Sequence, residues 1–289
     1  MNTIFIIGQH RTGSTLLKNI LNVHSQVIMA FDEMNLYEPF RKNTLDKFLK
    51  KSNLTTNELI NLLKKRNIYG TFWRDFENSG ITFVELEKEL NKENKLDEQI
   101  VLTAVLQLLK EKSNVKMAGV KYPVHIRKIS NLLKYFPDAK IIFLTRNPKA
   151  IIASKINDPA TKKRKEQSKI KAWFIHYFTL LYFCFEYNLS IKIFFRNKEN
   201  LYLVTYEDLV LHKEKTVQQI CEFLGIGFEK EMLLVSGKQS SFNNTNNKTF
   251  HQDSIEKYKK VLSSFDSRLI DFLTRKSFRN IQNEPHPHL

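Results

Sequence analysis

Cysteine is nearly absent from this 289-residue chain: Cys184 and Cys221 are the only two, and no CxxC spacing occurs. They cannot form a disulfide framework or a cysteine-built zinc site, so a reducing compartment and two core thiols are expected. Glycine and proline are also scarce, at 8 and 7 residues, which excludes collagen-like or linker-like chains and argues against a turn-dense all-β fold. Acidic residues are outnumbered, 30 Asp+Glu against 46 Lys+Arg, for a formal net charge of +16. No leader is expected, because Thr3–Ile7 already reads as a strand that runs into a glycine loop. The most apolar long stretch, Ala172–Phe185, is interrupted by His176. It falls short of the ~20 residues that span a bilayer, so it reads as a buried helix. The expectation is a cytoplasmic protein without a transmembrane segment, whose basic excess would also suit the periphery of a membrane.

Buriable surface is plentiful. Apolar residues make up 42% of the chain and 22 are Phe, enough for a packed globular core. Short runs rich in Ile, Val and Phe alternate with longer helical patterns, the signature of an α/β fold around a parallel sheet. The strands expected are Thr3–Ile7, Gln26–Ala30, Lys116–Val120, Lys140–Thr145 and Leu201–Thr205. Between them, Leu54–Lys65, Asp97–Lys112, Ile126–Tyr135, Ile170–Leu189 and Glu214–Leu224 carry apolar residues at helical spacing. A single domain is expected over residues 1–289, with a helical insertion over about 40–114 and a C-terminal helical segment over about 250–289. The aromatic stripe through Trp173, Phe174, Tyr177, Phe178, Leu181 and Tyr182 reads mainly as core, and Lys162–Lys165 as a solvated face.

Two of the eight glycines fall in one loop, Gly8-Gln9-His10-Arg11-Thr12-Gly13-Ser14-Thr15, between the first strand and a helix that starts at Ser14. Strand, glycine-bracketed loop and helix N-terminus form a phosphate cradle in which backbone N–H groups and the helix dipole favour an anion. Arg11 adds a planar donor fork, and the Ser14 and Thr15 hydroxyls can cap the helix or donate to phosphate oxygens. The loop lacks the lysine of GxxxxGK[ST], since Ser14 follows Gly13. The later strand ends on Arg146 where a nucleotide triphosphatase keeps an acidic magnesium ligand. An atypical P-loop kinase is therefore the weaker reading. A nucleic-acid-binding module is weaker too, because no nucleic-acid motif accompanies the charge. Arg146 itself stands at a strand's carboxyl end, where α/β folds bind ligands, and Pro148 starts the next helix. Ser154, eight residues beyond Arg146, lies about two helical turns along, so the two side chains could share one phosphate.

Together these stretches resemble the sulfotransferases that use 3′-phosphoadenosine 5′-phosphosulfate (PAPS). Gly8–Leu17 is similar to that family's 5′-phosphosulfate loop in its Arg-bearing form, seen in tyrosylprotein sulfotransferases and bacterial relatives. Phe136–Pro148 with Ser154 resembles the 3′-phosphate motif, Tyr206-Glu207-Asp208-Leu209 the YEDL element, and Cys221–Gly225 the helix end after it. The resemblance covers about residues 3–235. It implies a Rossmann-like sheet and transfer of a sulfuryl group from PAPS, which leaves as 3′-phosphoadenosine 5′-phosphate (PAP), to a hydroxyl or amine without a metal. It further implies that Arg11, Thr12, Gly13, Ser14 and Thr15 hold the 5′-phosphosulfate, Arg146 and Ser154 the 3′-phosphate, and that Tyr206 lies near the nucleotide. Lys248, in the Ser/Asn/Thr-rich stretch Ser240–Lys248, is a candidate contact to the 3′-phosphate. Lys121, in Lys121-Tyr122-Pro123, would neutralise the leaving group, with Arg11 assisting. Glu33 falls where the Arg-type relatives place their general base, with Asp32 its neighbour and competitor. His125 is displaced from the position at which the cytosolic branch carries its histidine, and a helix N-terminal or surface role is expected for it. The acceptor can be a small molecule, carbohydrate, lipid or peptide; an acidic acceptor or an anionic surface would account for the surplus charge around Lys162–Lys171, and no nucleic-acid partner is required.

Overall fold

The computed structural model describes residues 2–38, 41–65, 67–165, 169–235 and 253–284. Five strands form one sheet: β1 (Thr3–Gly8), β2 (Val27–Met29), β3 (Met117–Lys121), β4 (Lys140–Thr145) and β5 (Tyr202–Thr205), in the order β2-β3-β1-β4-β5. β1 pairs with β3, β2 with β3 and β4 with β5, each in parallel. All five expected strands are present within one or two residues. They read as unbroken apolar runs because parallel strands are covered on both faces; β1 is buried along its whole length.

The chain divides into two compact units. The first comprises Met1–Ile7, Thr15–Ile141 and Glu229–Met232. It holds most of α1 (Ser14–Leu21) and the helices α2 (Leu45–Lys51), α3 (Thr56–Lys64), α4 (Thr71–Arg74), α5 (Phe83–Leu90), α6 (Glu98–Ser113) and α7 (Ile129–Tyr135). α3 and α5 both begin with reciprocal capping boxes, Thr55 with Glu58 and Thr82 with Glu85, which supply partners to the orphan N–H groups of the first turn. The expected helix over Ile126–Tyr135 is broken: Pro123–Lys128 forms a 3₁₀ turn and α7 starts only at Ile129. The core of the insertion is aromatic. Phe72 packs edge-on against Trp73 at 5.1 Å and Phe76 at 5.7 Å, and Phe31 stacks on Phe72 at 5.3 Å.

The second unit comprises Gly8–Ser14, Ile142–Phe228 and Leu233–Leu289. It holds α8 (Pro148–Ile156), α9 (Pro159–Lys165), α10 (Lys169–Arg196), α11 (Tyr206–Leu211), α12 (Lys213–Leu224), α13 (Asp253–Glu256) and α14 (Ser264–Asn283). Asn147 caps α8 through Lys149 N–H at 2.9 Å, and Pro148 occupies its first turn, as expected. Cys184 and Cys221 are buried and form no disulfide among the described residues.

The structure corrects the reading of α10. The helix runs for 28 residues and is not a buried element: Trp173, Phe174, Phe178, Leu181 and Phe185 are exposed. Its inner face is a second apolar stripe, Leu180, Cys184, Tyr187, Ile191 and Phe194, with Phe194 stacked on Phe143 of β4 at 4.8 Å. Both stripes have helical spacing, so periodicity alone could not tell which of them faces the sheet. Residues 171–196 are long and apolar enough to cross a bilayer by length and composition.

Candidate active site

Two clusters gather the residues singled out in the sequence, one in each unit. In the second unit the loop after β1 is shaped by its backbone. Gly8 has φ +143 and a Cβ there would lie 2.1 Å from the Leu144 carbonyl oxygen; Gly13 has φ +92 and a Cβ there would lie 2.3 Å from the Tyr206 ring. Both positions demand glycine. Arg11 is left-handed at φ +73, a conformation a long side chain adopts only when its surroundings impose it. The Thr12 hydroxyl is turned into the loop, donating to the Gln9 carbonyl at 2.9 Å. Thr12 thus fixes the loop's shape through its side chain. Ser14 is buried at the first position of α1.

Three basic and polar groups meet beside this loop. Arg11 Nε donates to Ser154 Oγ at 2.8 Å, and Arg146 Nη1 to the Arg11 carbonyl at 3.3 Å. Arg146 and Ser154 are therefore joined through Arg11. The Arg146 guanidinium lies 4.0 Å above the Tyr206 ring, and its Nη2 donates to the Ser254 carbonyl at 2.6 Å. The Tyr206 and Ser254 hydroxyls are 2.6 Å apart. Burial pulls the Arg146 guanidinium below its ordinary range; Tyr206 and Glu207 oppose this and Arg11 adds to it. Since arginine keeps its proton in proteins, this direction records the cost of holding its charge away from water. The Arg146 Nε and both amide atoms of Gln9 are buried with no hydrogen-bond partner among the described residues. Buried orphans of this kind are rare in folded proteins. Two guanidiniums, orphaned polar atoms and a glycine loop fit a polyanionic ligand.

In the first unit, β3 ends on Lys121, whose Nζ lies 2.7 Å from Glu33 Oε1 and 3.4 Å from Thr15 Oγ1. The lysine side chain is almost wholly buried, while that of Glu33 keeps 26% of its surface. Glu33 is held in a loop by two local bonds. Its N–H donates to Asp32 Oδ1 at 2.7 Å, and the Phe31 carbonyl accepts from Lys18 Nζ at 2.8 Å. Lys18 is buried, and burial, then the neighbouring Lys121 charge, lowers its pKa against the pull of Asp32.

Of the two roles expected for His125, helix N-terminal or surface, the surface one is not taken, and the residue stands third in the 3₁₀ turn Pro123–Lys128. It is 1% exposed, in the 3₁₀ turn after β3, and packs edge-on against Tyr122 at 4.5 Å. Its N–H bonds the Tyr122 carbonyl at 3.1 Å, so the turn that Pro123 starts folds the ring inward. Neither ring nitrogen has a partner among the described residues, and burial drops the imidazole pKa to about 3. Lys248 lies outside the described residues. Sequence reasoning missed Lys18, Ser254 and Glu207. Glu207, whose Oε1 accepts from Asn147 N–H at 3.1 Å, stands within the YEDL element and was within reach. Lys18, one turn past Ser14, carried only the signal of a charge on an otherwise apolar helix, and Ser254 carried none. Among the described residues no group of three or more His, Cys, Asp or Glu could hold a metal ion.

A protein-family model described as the sulfotransferase family matches residues 3–230. Among curated proteins, the human sulfotransferase 2A1 is 33% identical over 108 residues, covering 36% of this chain and 38% of that protein. The guinea-pig (Cavia porcellus) 3-alpha-hydroxysteroid sulfotransferase is 28% identical over 149 residues, covering half of each chain. The chain thus spans half or less of the length of these curated relatives. Among solved structures, the sulfotransferase domain from the curacin biosynthetic pathway superposes with a TM-score of 0.58 at 22% identity, covering 95% of this chain and 97% of that one. That likeness shows a shared fold.

Proposed function

Because the chain belongs to the sulfotransferase family, we propose that it transfers a sulfuryl group from PAPS to a hydroxyl, or less readily an amine, of an apolar acceptor, with Glu33 as general base. The observation that carries this reading is the convergence of Glu33 and Thr15 on Lys121, at 2.7 and 3.4 Å. Lys121 brings a positive charge into a site sheltered from water, beside the carboxylate that takes the acceptor proton.

When bound, PAPS supplies the activated sulfuryl group and leaves as PAP. The residues for its two anionic ends are distinct. Gly13 and the backbone around it cradle the 5′ end at the helix N-terminus, with Arg11 alongside. Arg146 and Ser154, both bonded to Arg11, serve the 3′-phosphate, and the orphaned Arg146 Nε is the donor available for it. Tyr206 braces the Arg146 guanidinium from one face. Lys121 neutralises the charge that grows on the leaving oxygen while Glu33 takes the acceptor proton. In-line transfer of this kind rests on positioning and charge neutralisation more than on covalent chemistry by the protein.

The apolar acceptor is inferred from what adjoins Glu33. Phe31, two residues before it, stacks on Phe72 of the aromatic insertion core, and the name of the guinea-pig relative points to hydroxysteroid alcohols. Conversion of PAPS to PAP across a panel of steroid, fatty, phenolic and carbohydrate alcohols tests the proposal. Turnover with an apolar alcohol, lost in Glu33→Ala while PAP still binds, is expected. Full turnover by Glu33→Ala would assign the base to Asp32 or His125.

A further inference from the structure

We infer that the outer face of the second unit, formed by α10 and α14, is a docking surface for an anionic lipid bilayer. The face begins with the outward stripe of α10. Phe174, Phe178, Leu181 and Phe185 recur at spacings of four, three and four, and they are exposed, Phe178 at 71%. Trp173 is 58% exposed at the end of the same stripe. From Phe174 to Phe185 the stripe is about 17 Å long at 1.5 Å per residue. Basic residues bound it, exposed Lys171 at one end and exposed Lys192 and Arg196 at the other.

α14 repeats the design. Its exposed positions include Phe265, Arg268, Phe272, Arg275, Lys276 and Arg279, spaced along one side of the helix, with Phe272 80% exposed. The two helices pack together through Leu180, Cys184 and Ile270. Their outer faces are continuous: Trp173 contacts Tyr177 at 4.9 Å, and Tyr177 contacts Phe265 of α14 at 6.2 Å between ring centroids. A line of exposed aromatic rings bordered by arginine and lysine is the composition of an interfacial helix, with rings for the acyl boundary and cations for anionic headgroups. Trp and Tyr at one end suit the headgroup level.

Charge selects the occupant. A second copy of the chain would bring the arginines and lysines of α14 against a surface with the same net charge of +16, whereas an anionic leaflet attracts them. The inner stripe of α10 is packed against its own unit, so the helix lies on the membrane and does not cross it.

The two tryptophans make the test direct, because Trp73 is fully buried and Trp173 is not. The full chain is titrated with phosphatidylcholine vesicles with and without phosphatidylserine, reading Trp173 emission, quenching by brominated lipid and co-sedimentation. Phosphatidylserine vesicles should shift the emission to the blue and sediment the protein, and added salt should reverse both. Phe178→Glu and Phe272→Glu should each abolish the shift without lowering the thermal midpoint. Arg275→Gln should weaken partition about fivefold, as expected for one basic residue at an anionic surface. Three results would overturn the inference: no partition at low ionic strength, partition untouched by the Phe→Glu changes, or a lipid-free dimer that buries Trp173 and is split by Phe272→Glu. Preferential capture by polyglutamate would also overturn it, in favour of an acidic polypeptide.

Discussion

Arg11 and Ser154 are 143 residues apart in sequence and 2.8 Å apart in space, with Arg11 Nε donating to the serine hydroxyl. The bond joins the first loop to the helix that follows Arg146, so the two stretches read separately as 5′ and 3′ anion sites share a residue. Arg11 anchors both neighbours, Ser154 through its side chain and Arg146 through its carbonyl, and its backbone is left-handed at φ +73.

Ser154→Ala removes the hydroxyl that orients Arg11. A hydrogen bond to a charged group contributes about 1.5–3 kcal/mol, so PAP affinity should fall by about ten- to a hundredfold. Isothermal titration with PAP measures this, and the loss should be much smaller for AMP, which lacks the 3′-phosphate.

Lys18→Met separates positioning from stability. The buried ammonium costs folding energy, as its lowered pKa records, so the variant should melt at the same or a higher temperature. The Phe31 carbonyl loses its donor, and the loop carrying Glu33 loosens. A lower kcat with little change in the KM for PAPS is expected; a lower melting temperature with unchanged kcat would mean that Lys18 only fills space.

Much of this was legible beforehand, for identifiable reasons. The strands were found because parallel strands buried on both faces must be continuous apolar runs. The loop was found because glycine is rare enough in this chain for Gly8 and Gly13 to stand out. Lys121 and Glu33 were singled out through the family resemblance, but their contact was not, since it depends on how β2 and β3 pair. The outward face of α10 was misassigned because both of its faces are apolar. The burial of His125 was not legible, because it depends on the 3₁₀ turn started by Pro123. Ser254 was invisible, since a serine that braces an arginine through its carbonyl leaves no mark in the sequence.

His125 gives a pH signature. Its folded pKa is lowered from 6.5 to about 3 by burial, so the unfolded chain binds this proton first as pH falls. The neutral ring's contribution to stability is complete above about 6.5 and is lost progressively toward about 3. Denaturant unfolding from pH 7 to 4 should show a steeper loss in the wild type than in His125→Phe. Parallel profiles would contradict the buried neutral ring.

Binding of a nucleotide that bears a 3′-phosphate is tested most directly by paired calorimetric titrations with PAP and AMP. The wild type should bind PAP far more tightly than AMP, and Arg146→Ala should bring the two affinities together. Equal affinity for PAP and AMP in the wild type, or a preference for PAP that survives Arg146→Ala, would contradict it.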